Sequence, residues 1–155
     1  MNSIMNEYGV IGSLLIDSSL FPEAAGLPDQ AFSSPALQEV FRTMRRQYEG
    51  RGGFDALTVS VEARRNCPEV TDELLAQMMD ITPTTANLDA YIAAVKEEFL
   101  ARSLREIGAG LMEAEQAPLE ALGRVQDALQ RLTEENTRGD TDTLTDALVR
   151  LGNRV

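Results

Sequence analysis

Histidine does not occur in this chain. Its absence removes the usual general base, the commonest zinc ligand and the side chain whose charge switches near neutral pH. Cysteine occurs once, at Cys67, so neither an intrachain disulfide nor a cysteine metal site can form. A lone thiol fits a reducing, cytoplasmic setting. Lysine also occurs once, at Lys96, and the phosphate-cradling patterns GxxxxGK-Ser/Thr and GxGxxG are both missing. No Lys or Arg precedes Arg42, so the opening MNSIMNEY lacks the basic region of a signal peptide. No apolar run reaches the ~18–20 residues of a membrane span, so no membrane partner is expected. Positive charge is scarce throughout. Fourteen Lys and Arg stand against 25 Asp and Glu, for a formal net charge of −11. Phosphate neutralisation supplies most non-specific nucleic-acid affinity, so tight direct DNA binding by this chain is not expected.

What is present is helical pattern. The 155 residues are 43% hydrophobic and 25% charged, an ordinary soluble composition for one domain, or one small domain with an appendage. Ile4, Tyr8, Ile11 and Leu15 step by four, three and four, which predicts a helix over about 3–17. A short helical piece is expected at 19–25. Ser34-Pro35 is a helix start, a Ser cap followed by Pro where its missing N–H costs nothing. Leu37, Phe41, Met44 and Tyr48 continue that helix to Gly50. Asp55 is placed to cap the next helix, about 56–66, with Leu57 and Val61 on one face. Asp72 and Glu73 favour the first turn of another, whose apolar side is Leu74, Leu75, Met78 and Met79.

The longest periodic run follows Thr84-Thr85. Leu88, Ile92, Val95 and Phe99 are succeeded by Leu100, Leu104, Ile107 and Leu111 at the same spacing, offset by one residue. A helix over about 85–115 would measure roughly 45 Å. Pro118 restarts a second helix through Leu119, Leu122, Val125, Leu129 and Leu132, and so short a connection predicts an antiparallel hairpin. Residues 136–142 read as a polar linker. A last amphipathic segment carries Leu144, Ala147, Leu148 and Leu151, too short to be stable alone. The expected fold is all-α: a helical head at 1–84, a long hairpin at 85–135, then a linker and the start of a linker helix at 136–155.

Residues that could carry chemistry read as structural. Glu97-Glu98, Glu134-Glu135, Asp72-Glu73 and the Asp140/Asp142 pair lie on polar faces or in the linker, whereas acid–base work needs carboxylates facing one another in a dry cleft. Gly50-Arg51-Gly52-Gly53 reads as a helix–helix turn, and Cys67 as a bland, partly buried side chain. No catalytic residue, metal site or cofactor is expected in this chain. The hairpin is different. Its first helix outruns the ~30 Å diameter of a head of this size. Apolar residues continue into the overhang at Leu104, Ile107 and Leu111, which favours self-association. Leu100 belongs to the same seam, facing Leu122, Val125, Leu129 and Leu132. Gly108 and Gly110 weaken the helix by ~1 kcal/mol each, and permit either a close helix approach or a kink.

Several pieces together resemble the N-terminal domain of DnaB-type replicative DNA helicases. Glu7-Tyr8-Gly9-Val10-Ile11-Gly12-Ser13-Leu14-Leu15-Ile16-Asp17 resembles that family's opening helix, and Phe32, Pro35 and Val40-Phe41 its next. Asp55-Ala56-Leu57-Thr58-Val59 resembles its Asp-x-x-Thr-Val helix start, in which Asp55 caps while Thr58 answers from the third helical position. Thr82-Pro83-Thr84-Thr85-Ala86-Asn87, then Tyr91, Val95, Lys96, Glu97, Leu100, Arg102 and Leu104, is similar to its lead into the hairpin. The loop around Cys67–Val70 is shorter than the family's Gly-rich one, and the family's Pro-containing lead-in before the first helix is missing.

The resemblance implies a division of labour. The family's motor is a C-terminal RecA-like ATPase, so ATP and Mg would belong to that motor and not to this chain. Its N-terminal domains pair through their hairpins and assemble as a trimer of dimers, a collar that docks primase, with a helicase loader a further partner. The segment with Leu144, Leu148 and Leu151 is similar to the linker helix. The competing reading is a stand-alone helical dimerisation or regulatory module without a motor.

Overall fold

A computed structural model describes residues 3–112 and 118–137. Seven α-helices follow in order: α1 (Ser3–Ile16), α2 (Phe21–Ala24), α3 (Pro35–Arg51), α4 (Ala56–Asn66), α5 (Asp72–Asp80), α6 (Leu88–Met112) and α7 (Pro118–Thr137). Two short 3-10 turns, Ser18–Leu20 and Asp29–Ala31, flank α2. The described residues contain no strand, and the fold is all-α as expected.

Polar side chains start three of these helices by taking up N–H groups that the first turn leaves free. The Ser34 hydroxyl accepts the Leu37 N–H at 3.2 Å, and the Thr71 hydroxyl accepts that of Leu74 at 3.1 Å. At α4 the capping box is complete. Asp55 Oδ1 accepts the Thr58 N–H at 2.8 Å, while Thr58 Oγ1 accepts the Asp55 N–H at 3.1 Å. The helix α3 runs one residue past the expected Gly50. It ends at Gly52, whose φ of 78° is open to a residue without Cβ. The piece expected at 19–25 divides into a 3-10 turn capped by Asp17 and the short α2.

The chain divides into two compact units, Met1–Phe99 and Leu100–Val155. In the first, α1 packs on α5, α3 on α4, and α4 touches α5. Its core joins Ile11 and Leu14 of α1, Leu37 and Met44 of α3, Val59 and Ala63 of α4, and Leu75 and Met78 of α5. The helix α6 adds Leu88, Ile92 and Val95 to that core. Phe21, Phe32 and Phe41 fill the middle, Phe41 lying 5.5 Å from Phe21 and 4.7 Å from Phe32 between ring centroids. Each such side chain contributes about 1.5–3 kcal/mol on burial. Arg45 closes one edge of the core. Its guanidinium donates to the carbonyls of Ala25 and Leu27 at 2.9 and 2.8 Å and lies over the Phe41 ring.

Leu57 and Val61 share a face of α4 as expected, and that face is exposed, at 70% and 47% accessibility. The buried side is Val59, Ser60 and Ala63. At ~100° per residue, Leu57 and Val61 lie on the far side of the helix from it.

The second unit holds the rest of α6 together with α7. At 25 residues, α6 measures roughly 37 Å. It runs unbroken through Gly108 and Gly110, where an added Cβ would meet nothing within 4 Å. The residues joining α6 to α7 and the Leu144, Leu148 and Leu151 segment lie outside the described residues.

Candidate functional site

Of the family-like motif residues, Asp55, Thr58, Tyr91 and Val95 make defined contacts in the head. The first helix crosses its neighbours at glycines. A Cβ on Gly9 would fall 2.6 Å from Cδ2 of Tyr91, and one on Gly12 would collide with the Met78 carbonyl oxygen and the Thr82 hydroxyl. Thr82 is buried, and its hydroxyl donates to Met78 O at 2.8 Å. The Tyr91 N–H donates to Asn87 O at 3.1 Å, opening α6, and Val95 is fully buried below it. Pro83 and Asn87 are exposed at this corner, and Arg102 is half-buried. Asp55 and Thr58 form the capping box, and the bond from the Thr58 N–H holds the Asp55 carboxyl below the ordinary carboxylate range. A second link follows: the Thr58 hydroxyl donates to Gln47 Oε1 at 2.9 Å, tying α4 to α3.

Two buried carboxylates were not foreseen from the sequence. Glu7 accepts from the Ser33 N–H at 2.6 Å and hydroxyl at 3.1 Å, which anchors the loop before α3 to α1. Glu39 is buried on α3, where Arg42 and Arg46 bond it at 2.9 and 3.1 Å, Thr43 at 3.1 Å and Asn66 at 3.3 Å. Burial alone would raise its pKa. The bonds from Arg46, Thr43, Asn66 and Arg42 outweigh that and hold it below the ordinary value. Glu7 and Glu39 are therefore structural ties. Among the described residues no three acidic or sulfur ligands are placed to hold a metal ion.

The hairpin residues are placed differently. Leu104, Leu111 and Leu122 are about half exposed, at 45%, 49% and 51%. Met112 and Leu119 are more exposed still. Leu100, Ile107, Val125 and Leu129 are half-buried, and Leu132 is buried. Burial thus declines along α6, from Leu88, Ile92 and Val95 in the head core to Leu104 and Leu111 beyond it.

Comparison with known proteins places this architecture. Residues 1–97 match the model of the DnaB-like helicase N-terminal domain. The chain belongs to that family. Over 102 residues it is 29% identical to the replicative DNA helicase DnaB of Rhodothermus marinus, covering 63% of this chain and 11% of that protein. Over 108 residues it is 30% identical to the replicative DNA helicase DnaB of Geobacillus stearothermophilus, covering 66% and 23%. It therefore spans under a quarter of the length of these relatives. The crystal structure of the N-terminal domain of DnaB helicase from Mycobacterium tuberculosis superposes with a TM-score of 0.73 at 27% identity, over 83% of this chain and 96% of that one. The DnaB-like motif corner at Thr82–Val95 and the capping box at Asp55–Thr58 both fall within the matched region.

Proposed function

We propose that this DnaB-like domain serves as the oligomerisation and primase-docking domain of a hexameric replicative helicase. The observation that carries the reading is the leucine series Leu104, Leu111 and Leu122, left open on α6 and α7 of a chain whose fold matches nearly all of a DnaB N-terminal domain. In this reading α6 and α7 fold back as an antiparallel hairpin, hairpins pair two copies, and three pairs form the helicase collar. The domain itself neither hydrolyses ATP nor grips DNA. Unwinding, with its ATP and Mg, belongs to a motor domain in the parent protein. A loader would be a second partner of the same collar.

Isothermal titration of the purified chain with the replicative primase of the same organism tests the docking part. Saturable binding at physiological salt is expected. An equal titration that shows no heat and no co-elution would contradict it. Self-association is tested separately, by sedimentation velocity of the wild-type chain.

A further inference from the structure

An open groove of about 530 Å³ lies between α3 and α4. Its apolar strip is Leu57 and Val61, one helical turn apart and both exposed. Three guanidiniums line it, those of Arg46, Arg51 and Arg65, against one carboxylate, Glu62. Arg46 is tied to Glu62 at 3.0 Å and to Glu39 at 3.1 Å. Arg51 and Arg65 have no ion-pair partner within 4.0 Å among the described residues; Arg51 acts on the Asp55 carboxyl only at longer range. In a chain of net charge −11 this is a local island of positive charge around exposed apolar side chains.

We propose that this groove docks an acidic amphipathic helical segment of another protein, two apolar side chains of which sit on Leu57 and Val61 while flanking carboxylates meet Arg51 and Arg65. Charge complementarity selects the occupant. A second copy of this chain meeting groove to groove about a two-fold axis would set Arg51 and Arg65 against their own equivalents. Nucleic acid is disfavoured by the chain's overall charge and because the groove offers no aromatic ring on which a base could stack. An apolar pair one turn apart is what a helix laid in a groove reads, and flanking charges set its orientation and its encounter rate.

The test is fluorescence anisotropy of the full chain with a labelled helical peptide carrying two leucines one turn apart and glutamates along its flanks. Saturable, salt-sensitive binding is expected. Arg51→Glu with Arg65→Glu, and separately Leu57→Ser, should each weaken it about tenfold. Leu57, Arg51 and Arg65 are exposed, so circular dichroism should be unchanged in each variant, and Leu119→Ser should bind as wild type does. A lysine-flanked peptide should not bind. The proposal is overturned if the variants bind equally well, or if the lysine peptide binds as tightly. It is overturned equally if a single-stranded oligonucleotide binds through the same arginines more tightly than the peptide. It also fails if the arginine variant changes only the sedimentation of the chain, which would make the groove a contact between copies.

Discussion

Gly9 of α1 lies directly under the ring of Tyr91 on α6: a Cβ there would stand 2.6–2.8 Å from three ring atoms. Three residues on, Gly12 stands against the main chain at the end of α5. The two glycines set how closely α1 can approach α5 and α6.

Gly9→Ala should therefore destabilise the fold by about 1–3 kcal/mol, the usual cost of overpacking, despite alanine's better helix propensity. Gly12→Ala should cost more, because the obstacle is the Met78 carbonyl oxygen, and a backbone group cannot rotate away as a ring can. Urea unfolding of the two variants beside wild type checks the order. Equal midpoints for all three would mean that the crossing is looser than described.

The capping box gives a second expectation. Asp55→Ala removes the acceptor for the Thr58 N–H and should cost about 1 kcal/mol, while Asp55→Asn, which caps nearly as well, should cost much less. The Asp55 carboxyl has a lower pKa in the folded chain than when unfolded. Its contribution is thus complete above the unfolded value and is lost as pH falls through the native one. The stability difference between wild type and Asp55→Ala should narrow on acidification, which thermal melts from neutral to acid pH measure.

Glu39 behaves in the same sense but is buried. Glu39→Gln keeps the shape and removes the charge that Arg42 and Arg46 meet, and should lower stability by about 1–3 kcal/mol at neutral pH. The native pKa is again depressed, so wild type should lose more stability than the variant as the carboxyl protonates. Melting both proteins over the same acidic range compares the two slopes. Parallel slopes would mean that Glu39 is not held as a carboxylate.

Local signals were the legible ones. Ser34-Pro35, Asp55 with Thr58, and the glycine at the end of α3 announce helix ends because the groups that satisfy one another lie within a few residues. The periodic run from Leu88 onward gave the long α6 for the same reason. The ties of Glu39 and Glu7 were not legible. Asn66 and Ser33 are 27 and 26 residues from them, and only the folded head brings them together. Leu57 and Val61 were legible as a shared face, but a two-residue stripe does not show whether anything covers that face. The groove arginines come from two helices, Arg46 and Arg51 from α3 and Arg65 from α4, so no single helical pattern marks them. The hairpin leucines were legible as a series; in the structure Leu104, Leu111 and Leu122 are about half exposed while Leu132 is buried, and the proposed self-association rests on the open ones.

Sedimentation velocity on the full chain tests that last claim most directly. Burying a leucine contributes about 1.5–3 kcal/mol, and in a two-fold interface every substitution counts twice. Leu104→Asp with Leu111→Asp places charges in an apolar seam, where burial without partners is strongly unfavourable. Wild type should sediment as a dimer or larger species at micromolar loading, and the double variant as a monomer with unchanged helical circular dichroism. A monomeric wild type, or a variant that stays helical and associated, would contradict self-association through these leucines.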